Sequence, residues 1–393
     1  MPKAGIGMNP QVATGRDLRL DFFRGLALIF IFVDHIPRNY FAWFTSHHYG
    51  FSDAAEAFVF ISGYSAAMVY SAVAQRSGML FAGVQIWRRM WQLYIAHVLL
   101  FIVFVAQIAW VSGKFNNAMY VEEMNIVGFL DEPHVAVGQA LLLKFKPTNL
   151  DILPLYILLL MFFPLILYLL RISRWLALGV SALLYAVTLA FDLSLPAYPI
   201  GSEWYFNPLA WQFLFTLGAV LGFTPRRDRS RVPRSRILFW AAIAYIVFAF
   251  AFMVEWLIPG LQDYYPEAIN YLIFPIDKTD LSLWRLGHFL ALAYVVAVLL
   301  PPDHWLFRLK AARPILWCGQ NSLYVFCLGI FLSFIGHVVI TEVGGRFWAQ
   351  AAVNAAGIGL MIGLAALLNW YRRTERRGRQ MVAARGLSGA SAE

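Results

Sequence analysis

Two ionisable residues, Arg24 and His35, lie in the first long apolar segment of the chain. Ionisable groups inside such segments are costly, and they therefore indicate a functional site. Eleven positions separate the two residues, so on an α-helix they share one face and lie about 16 Å apart along the axis. Arginine binds phosphate through paired hydrogen bonds, and a neutral histidine accepts a proton near neutral pH. This spacing suits an elongated ligand that touches both residues.

Each residue of the pair also has a plainer interpretation. Arg24 on its own is typical of a snorkelling arginine paired with Asp21, three residues earlier. His35 on its own is equally typical of a histidine at a helix end in the membrane interface. Because the two residues share one face and Asp34 adjoins His35, we favour the functional interpretation.

The second and third apolar segments carry further candidates. Glu56, near the start of the second, is suited to accept an imidazole N–H as the third member of a triad does. A solvated acid favoured by the helix dipole is the equal alternative. Arg88 and Arg89 open the third segment, either as topology determinants or, with the arginine of the first segment, as a cradle for phosphates. His97 lies further into the same segment.

Arg285 and His288 lie at positions i and i+3 near one end of the eighth apolar segment. A cation there is suited to a substrate carboxylate, and an interfacial anchor is the alternative. Asp151 and Trp211 are two further candidate binding residues. The sequence has no metal-ligand spacing and no nucleotide-binding loop, so we expect no metal and no cofactor.

Membrane helices must position these residues. The 393 residues are 60% apolar and 13% charged, against about 25% charged residues in soluble domains, which excludes a soluble or disordered protein. A membrane helix needs roughly 20 apolar residues. We therefore predict an all-α, polytopic transmembrane helical bundle of about ten spans, at 18–36, 53–75, 88–112, 152–170, 174–191, 207–224, 237–258, 283–301, 314–338 and 347–371.

The basic residues predict the orientation of this bundle. Loops on one side hold 23 Lys and Arg residues and loops on the other hold 6, which predicts that both termini are cytoplasmic. The net charge of +9 lies in short clusters between spans, a pattern typical of membrane topology and not of a nucleic-acid-binding surface. The chain then divides into a cytoplasmic N-terminal segment (1–17), a transmembrane domain (18–371) and a basic cytoplasmic tail (372–393).

Five segments carry a resemblance to a known family: RLDFFRGLALIFIFVDHIP, FVFISGYSAAMVYS, RRMWQLYIAH, NLDILPLYILLL and GQNSLYVFCLGI. Arg24 and His35, with ten residues between them, resemble the arginine–histidine signature of the acyltransferase type 3 membrane family. Glu56 begins a stretch similar to the acid-x-Phe segment of that family, in which many members carry Asp. The finer pattern resembles the osmoregulated periplasmic glucan succinyltransferase branch.

This resemblance implies a transmembrane acyltransferase of the bacterial inner membrane. It would move a succinyl or other short acyl group from cytoplasmic acyl-CoA to a hydroxyl of a periplasmic glucan, with His35 as general base. Acyl-CoA, the glucan and the lipid bilayer are then its partners, with no nucleic acid. The expected site residues are, for catalysis, His35, Asp34 and Glu56; for the donor, Arg24, Arg88, Arg89 and His97; and for the acyl group or acceptor, Arg285, His288, Asp151 and Trp211.

Two other functional classes are compatible with the same residues. A transporter or flippase for an acidic glycan or a lipid-linked precursor would use the intramembrane charges along a translocation path. A structural membrane partner would need no ionisable pair on one buried face, which disfavours it. Cleavage of acyl-CoA by the purified protein separates the enzyme from the transporter. The sequence does not determine the acyl group, the acceptor hydroxyl, direct transfer or an acyl-enzyme, or the oligomeric state.

Overall fold

The computed structural model describes residues 17–223, 233–254, 267 and 276–389. Helices make up 79% of the structure, and these ranges contain no β-strand, so the predicted all-α class is confirmed. The helices are α1 (Leu18–Asp34), α2 (Ala54–Ser77), α3 (Met79–Phe115), α4 (Met119–Glu123), α5 (Val127–Asp131), α6 (Pro133–Leu141), α7 (Ile152–Ile172), α8 (Arg174–Phe191), α9 (Pro208–Gly222), α10 (Arg236–Met253), α11 (Leu283–Leu299), α12 (Arg313–Gln320), α13 (Ser322–Val343) and α14 (Phe347–Gly389).

The predicted spans overlap helices of the structure, although α3 begins at Met79, nine residues before the predicted start at 88. Within the described ranges, seven helices are long and apolar enough to cross a membrane: α2, α3, α7, α8, α10, α13 and α14. The apolar helices α9 and α11 have 15 and 17 residues, and α1 also has 17. The structure therefore supports a polytopic membrane protein, whereas the count of ten spans and the cytoplasmic termini stay predictions.

Two predicted boundaries look different in the structure. The ninth span, 314–338, consists of two helices, because the backbone leaves helical geometry at Asn321 (φ −119°, ψ 33°). The tail predicted at 372–393 continues α14 as far as Gly389, in keeping with its content of helix-forming arginine and glutamate. Nearly all of the predicted N-terminal segment, 1–17, lies outside the described residues, as does most of the basic cluster at 226–236.

The start of α2 fixes two acidic residues of the candidate site. Asp53 Oδ1 accepts the backbone N–H of Ala55 at 2.8 Å, and Glu56 Oε2 accepts the backbone N–H of Asp53 at 2.9 Å. This reciprocal capping box satisfies donors that the first helical turn leaves unpaired. Local sequence alone therefore holds both carboxyl groups at one end of α2.

The helices α2 and α9 touch backbone to backbone. A Cβ atom added to Gly63 of α2 would lie 2.0 Å from the carbonyl oxygen of Phe215. One added to Gly218 of α9 would lie 2.2 Å from the carbonyl oxygen of Phe60. Small residues permit such an approach between membrane helices. The contact joins α9 firmly to the helix that carries the two acidic residues.

Gly63→Ala is expected to lower the thermal stability of the protein in detergent, because its methyl group would overlap the Phe215 carbonyl. Overpacking of this kind costs about 1–3 kcal/mol. Gly179→Ala in α8 is the matched control, since a Cβ atom there meets no other atom within 4 Å. Equal melting temperatures for the two variants would contradict the close contact.

The turn after α1 is held by side chains of α14. Asn39 and Asn354 exchange two amide hydrogen bonds, of 3.0 and 2.9 Å, and the Asn39 amide also donates to the Val33 carbonyl at 2.9 Å. Gln350 Oε1 accepts the backbone N–H of Tyr40 at 2.6 Å. These bonds fix the backbone at the point where α1 ends.

Candidate active site

His35 directly follows α1 and caps that helix. Its backbone N–H donates to the Ile31 carbonyl at 3.0 Å. Its ring Nδ1 is buried and has no hydrogen-bond partner among the residues that the structure describes. Asp34, the preceding residue, accepts a 2.6 Å hydrogen bond from the Thr45 hydroxyl. The Nδ1 atom of the His35 ring is therefore not engaged in a hydrogen bond with any residue that the structure describes.

Four charged residues form a buried network between the start of α2 and the start of α11. Arg285 donates from Nε to Glu56 Oε1 at 2.8 Å, and its Nη2 lies 3.1 Å from Asp53 Oδ2. Lys278 Nζ contacts the same Asp53 oxygen at 2.6 Å. The Glu56 side chain is 0% exposed, those of Asp53 and Arg285 are 8% and 10% exposed, and that of Lys278 is 23% exposed. Lys278 is therefore the most accessible member of the network.

This network acts electrostatically on His35. Lys278 and Asp53 act electrostatically on both His35 and Asp34. His47 Nδ1 lies 3.7 Å from Asp53 Oδ2 on the same side. The structure thus brings together four residues predicted from the sequence, His35, Asp34, Glu56 and Arg285.

A well-bonded loop before α11 presents Lys278. The indole Nε1 of Trp211 donates to the carbonyl groups of Lys278 and Thr279, at 3.1 and 3.0 Å. Asp277 accepts the backbone N–H groups of Thr279 and Asp280, at 3.0 and 2.6 Å. Trp211, which the sequence assigns to acyl or acceptor binding, is fully buried and supports the backbone of this loop.

His288 packs against the chain that leads into α2. Its Nδ1 accepts the backbone N–H of Ser52 at 3.2 Å and lies 2.7 Å from the Ser52 hydroxyl oxygen. Because Nδ1 accepts, the proton of the neutral ring is on Nε2. A Cβ atom on Gly50 would lie 2.4 Å from Nε2, so a glycine is needed there to make room for the ring. His288 therefore supports the segment that ends in Asp53.

Asp151, just before α7, interacts electrostatically with a second buried lysine, Lys146. Burial raises the pKa of Asp151 to about 6 and lowers the pKa of Lys146 to about 8, as expected for charged groups removed from water. Lys146 Nζ lies 3.8 Å from the centre of the Trp204 ring. Since Lys278 also acts on Asp151, this pair borders the four-residue network.

The predicted donor-binding arginines lie on α1 and α3. Arg24 donates to the Ser65 hydroxyl of α2 at 2.5 Å and lies 3.7 Å from Asp21, the partner that its plainer interpretation requires. Arg88 is exposed, and Arg89 donates to a glutamine in the next turn of α3 at 3.3 Å. Neither α3 arginine is buried: Arg88 is exposed and Arg89 is half-buried.

His97 lies deeper along α3, about 12 Å beyond Arg89 at 1.5 Å per residue. Neither of its ring nitrogens has a hydrogen-bond partner among the described residues. The ring borders an apolar cavity of about 340 Å³ between α3, α5 and α6. Lys146 acts on it electrostatically. His97 therefore lies with the loop that carries Lys146.

Three members of this centre are not evident from the sequence: Asp53, Lys278 and Lys146. Asp53 is recognisable in retrospect as the first residue of a capping box that ends in Glu56. Lys278 has Asp277 and Asp280 close to it in the sequence, so it looks like an ordinary lysine of a loop. Its role depends on a partner far away in the chain.

The centre combines a histidine nitrogen without a described partner, an accessible ammonium group and several buried carboxylates. A base of this kind removes a proton from a hydroxyl group. Fixed cations stabilise negative charge that develops on an oxygen atom or is carried by a substrate carboxylate. The arrangement therefore suits transfer of an acyl group to a hydroxyl.

The chain is similar to a known protein family. The sequence model of the family described as OpgC protein matches residues 16–373, which include every candidate site residue. Neither a curated protein nor a solved structure matches the chain.

Proposed function

The chain belongs to the OpgC protein family, and from this premise we propose that it moves a succinyl or other short acyl group from cytoplasmic acyl-CoA to a hydroxyl of a periplasmic glucan. Family membership implies a transferase that acts on glucan, in periplasmic glucan modification. The apolar helices indicate a membrane protein, and we assign it to the bacterial inner membrane.

The observation that carries this proposal is the proximity of His35 to the charged network. The Nδ1 atom of His35 has no described protein partner, and the cation of Lys278 and the anion of Asp53 act on the ring. A histidine that only anchored α1 in the interface would need neither of these neighbours. The combination supports a base with an electrostatic environment suited to acyl transfer.

In the proposed reaction, His35 removes the proton of the glucan hydroxyl while the hydroxyl oxygen attacks the thioester carbon. A C–O bond forms, and negative charge develops on the carbonyl oxygen within the field of the network's two cations. The C–S bond then breaks, and the proton held by His35 passes to the sulfur of CoA. The products are a glucan ester and free CoA, with no oxidant or cofactor required.

We propose Asp34 as the acid that orients the His35 ring once substrate is bound; in the described structure the Nδ1 atom of the ring has no hydrogen-bond partner. The alternative acid, Glu56, has both carboxylate oxygens occupied, one by Arg285 and the other by the backbone N–H of Asp53. Asp34 adjoins His35 and uses one oxygen to accept the Thr45 hydroxyl. Thr45 in turn fixes the position of the carboxylate. Glu56 then serves to hold the network together.

We assign the succinyl carboxylate to Lys278. Arg285 is the residue expected from the sequence to bind this carboxylate. Its guanidinium is already paired with Asp53 and Glu56, and its side chain is only 10% exposed. Lys278 contacts a single carboxylate directly and is 23% exposed. Its three ammonium hydrogens leave donors for a second carboxylate.

Lys278→Met is expected to reduce transfer from succinyl-CoA about tenfold more than transfer from acetyl-CoA, because only the succinyl group carries a carboxylate. A hydrogen bond to a charged group is worth about 1.5–3 kcal/mol, and about 1.4 kcal/mol is tenfold. The comparison of kcat/KM for the two donors cancels any general disturbance of Asp53. Lys144→Met is the control lysine from another loop. An equal loss for both donors would refute the assignment.

The donor phosphates are assigned to Arg24 with Arg88 or Arg89. The continuous helix α1 supports this, because it separates Arg24 from His35 by about 16 Å, a gap suited to an extended pantetheine arm. We also propose that His97 contacts the donor, from its position beside the apolar cavity.

Purified protein in detergent tests the function directly. We expect CoA release from succinyl-CoA that depends on added unsubstituted glucan, with succinyl esters on the glucan detected by mass spectrometry. An acetyl ester in place of the succinyl ester would keep the enzyme class and change the donor. No acyl-CoA cleavage with any donor, together with glycan uptake by proteoliposomes, would favour the transporter.

A further inference from the structure

A second cavity, with a polar lining, lies at the end of the bundle where His35 is found. Its volume is about 300 Å³, at the lower end of the range for small-molecule sites. It is enclosed by the turn after α1, by α4, by the last turns of α13 and by the chain that leads into α14. Its polar and aromatic lining is supplied by Arg38, Tyr40, Glu123, His337, Thr341 and Gln350.

This lining is suited to an uncharged ligand with many hydroxyl groups. The Arg38 side chain only donates hydrogen bonds, and the Glu123 carboxylate only accepts them. The hydroxyl and amide side chains of the lining both donate and accept. One arginine and one glutamate line the cavity, so their charges balance and offer no net charge to attract a phosphate. Each hydroxyl of a sugar donates and accepts at once, which matches a mixed lining of this kind.

His337 supplies the observation that points to a ligand. It is only 4% exposed, its Nε2 lies 3.1 Å from Glu123 Oε2, and its Nδ1 has no hydrogen-bond partner among the described residues. The nearby carboxylate favours a proton on Nε2, which leaves Nδ1 of the neutral ring as an acceptor. Buried polar atoms in proteins are nearly always hydrogen-bonded. A ligand hydroxyl in the cavity would supply the missing partner.

Hydrogen bonds and ring packing hold the residues that line the cavity. The Tyr120 hydroxyl donates to Glu342 Oε1 at 2.6 Å, and the Tyr120 ring packs on His337 with centroids 5.5 Å apart. Gln350 donates to the carbonyl groups of Arg38 and Gly345, at 3.3 and 3.0 Å. Tyr40 adds an aromatic side chain that is 56% exposed, suited to stacking on the face of a sugar ring.

The cavity also lies close to the proposed base. Arg38 is three residues after His35, so their Cα atoms are at most about 11 Å apart. A glucan is a chain of linked sugar units, and neighbouring units of one acceptor therefore reach both places.

We propose that this cavity is a second acceptor subsite, which binds an uncharged hexose unit of the glucan while another unit of the same chain meets His35. The inference rests on the proposed function for the identity of the glucan. It adds a binding site that involves neither the donor nor the charged network. With this subsite, the affinity of the protein for a glucan is higher for a long acceptor than for a single sugar unit.

His337→Phe and Arg38→Gln test this subsite. His337→Phe keeps a ring and removes both nitrogen atoms, and Arg38→Gln replaces an exposed side chain and keeps the backbone carbonyl that Gln350 contacts. We expect each variant to raise KM for a long linear glucan about three- to tenfold. The KM for a single glucoside, the KM for the donor and kcat should stay unchanged. His134→Phe, at an exposed histidine of α6, is the matched control.

Direct binding of neutral glucan oligosaccharides, measured by calorimetry without any donor, separates this proposal from the proposed function. Weaker binding by both variants supports the subsite even in a protein that transfers nothing. Unchanged binding and unchanged KM for the long glucan overturn it, whether or not the protein is an acyltransferase. Loss of copurified anionic lipid with unchanged glucan binding assigns the cavity to a lipid headgroup and also overturns it.

Discussion

His35→Gln is expected to lower acyl transfer to glucan by at least about two decades, since loss of a general base typically costs 10²–10⁴-fold in rate. Glutamine keeps a polar side chain and provides no base. The variant should still bind acyl-CoA, because Arg24 lies about 16 Å away along α1. The measurement is glucan-dependent CoA release by the purified protein, beside donor binding to the same preparation.

The exposed His134 of α6 provides the control for this prediction. His134→Gln should transfer at the wild-type rate, and both variants should melt near the wild-type temperature. If His35→Gln transfers almost as fast as the wild type, His35 only positions the substrate. The base would then be sought among Asp34, Glu56 and His288.

Arg285→Met is expected to destabilise the protein by about 3–5 kcal/mol, the cost of removing one partner from a buried ion pair. The change leaves the fully buried Glu56 carboxylate without its cation. The measurement is thermal unfolding in detergent. Arg88→Met, at an exposed position of α3, should change stability by less than about 0.5 kcal/mol.

A second substitution checks the cause of that loss. Because glutamine carries no charge, Glu56→Gln combined with Arg285→Met should recover a large part of the lost stability. A double variant less stable than Arg285→Met alone would show that the guanidinium acts by packing and not by pairing with Glu56. A single variant as stable as the wild type would contradict the ion-pair network altogether.

Hydropathy predicts the helices of this chain well, because each membrane span must be apolar over most of its length. The predicted span 174–191 has the bounds of α8, Arg174–Phe191. Hydropathy does not predict the break at Asn321, because the short polar stretch 320–322 lies within a segment that is apolar on average. Such a break is decided by packing against neighbouring helices.

The candidate site is predictable only in part. Arg24 and His35 share one helix, so their spacing alone relates them in space. The pairing of Asp53 with Lys278 joins residues 225 positions apart, and each residue taken alone looks like an ordinary charge near a helix end. Arg285 stands out in the sequence as an unusual cation within an apolar segment, but its partners cannot be derived from local sequence.

The long separation within the charged network also bears on how the protein is made. Glu56 enters the membrane with α2, and its cation, Arg285, is 229 residues later in the chain. At about 5–20 residues per second, a ribosome needs roughly 10–50 seconds to synthesise that stretch. Throughout this interval the nascent chain holds an acidic group with no counter-ion at the edge of the bilayer. The pair between Glu56 and Arg285 therefore forms only after α11 has been made, so α2 cannot complete its ionic contacts on its own.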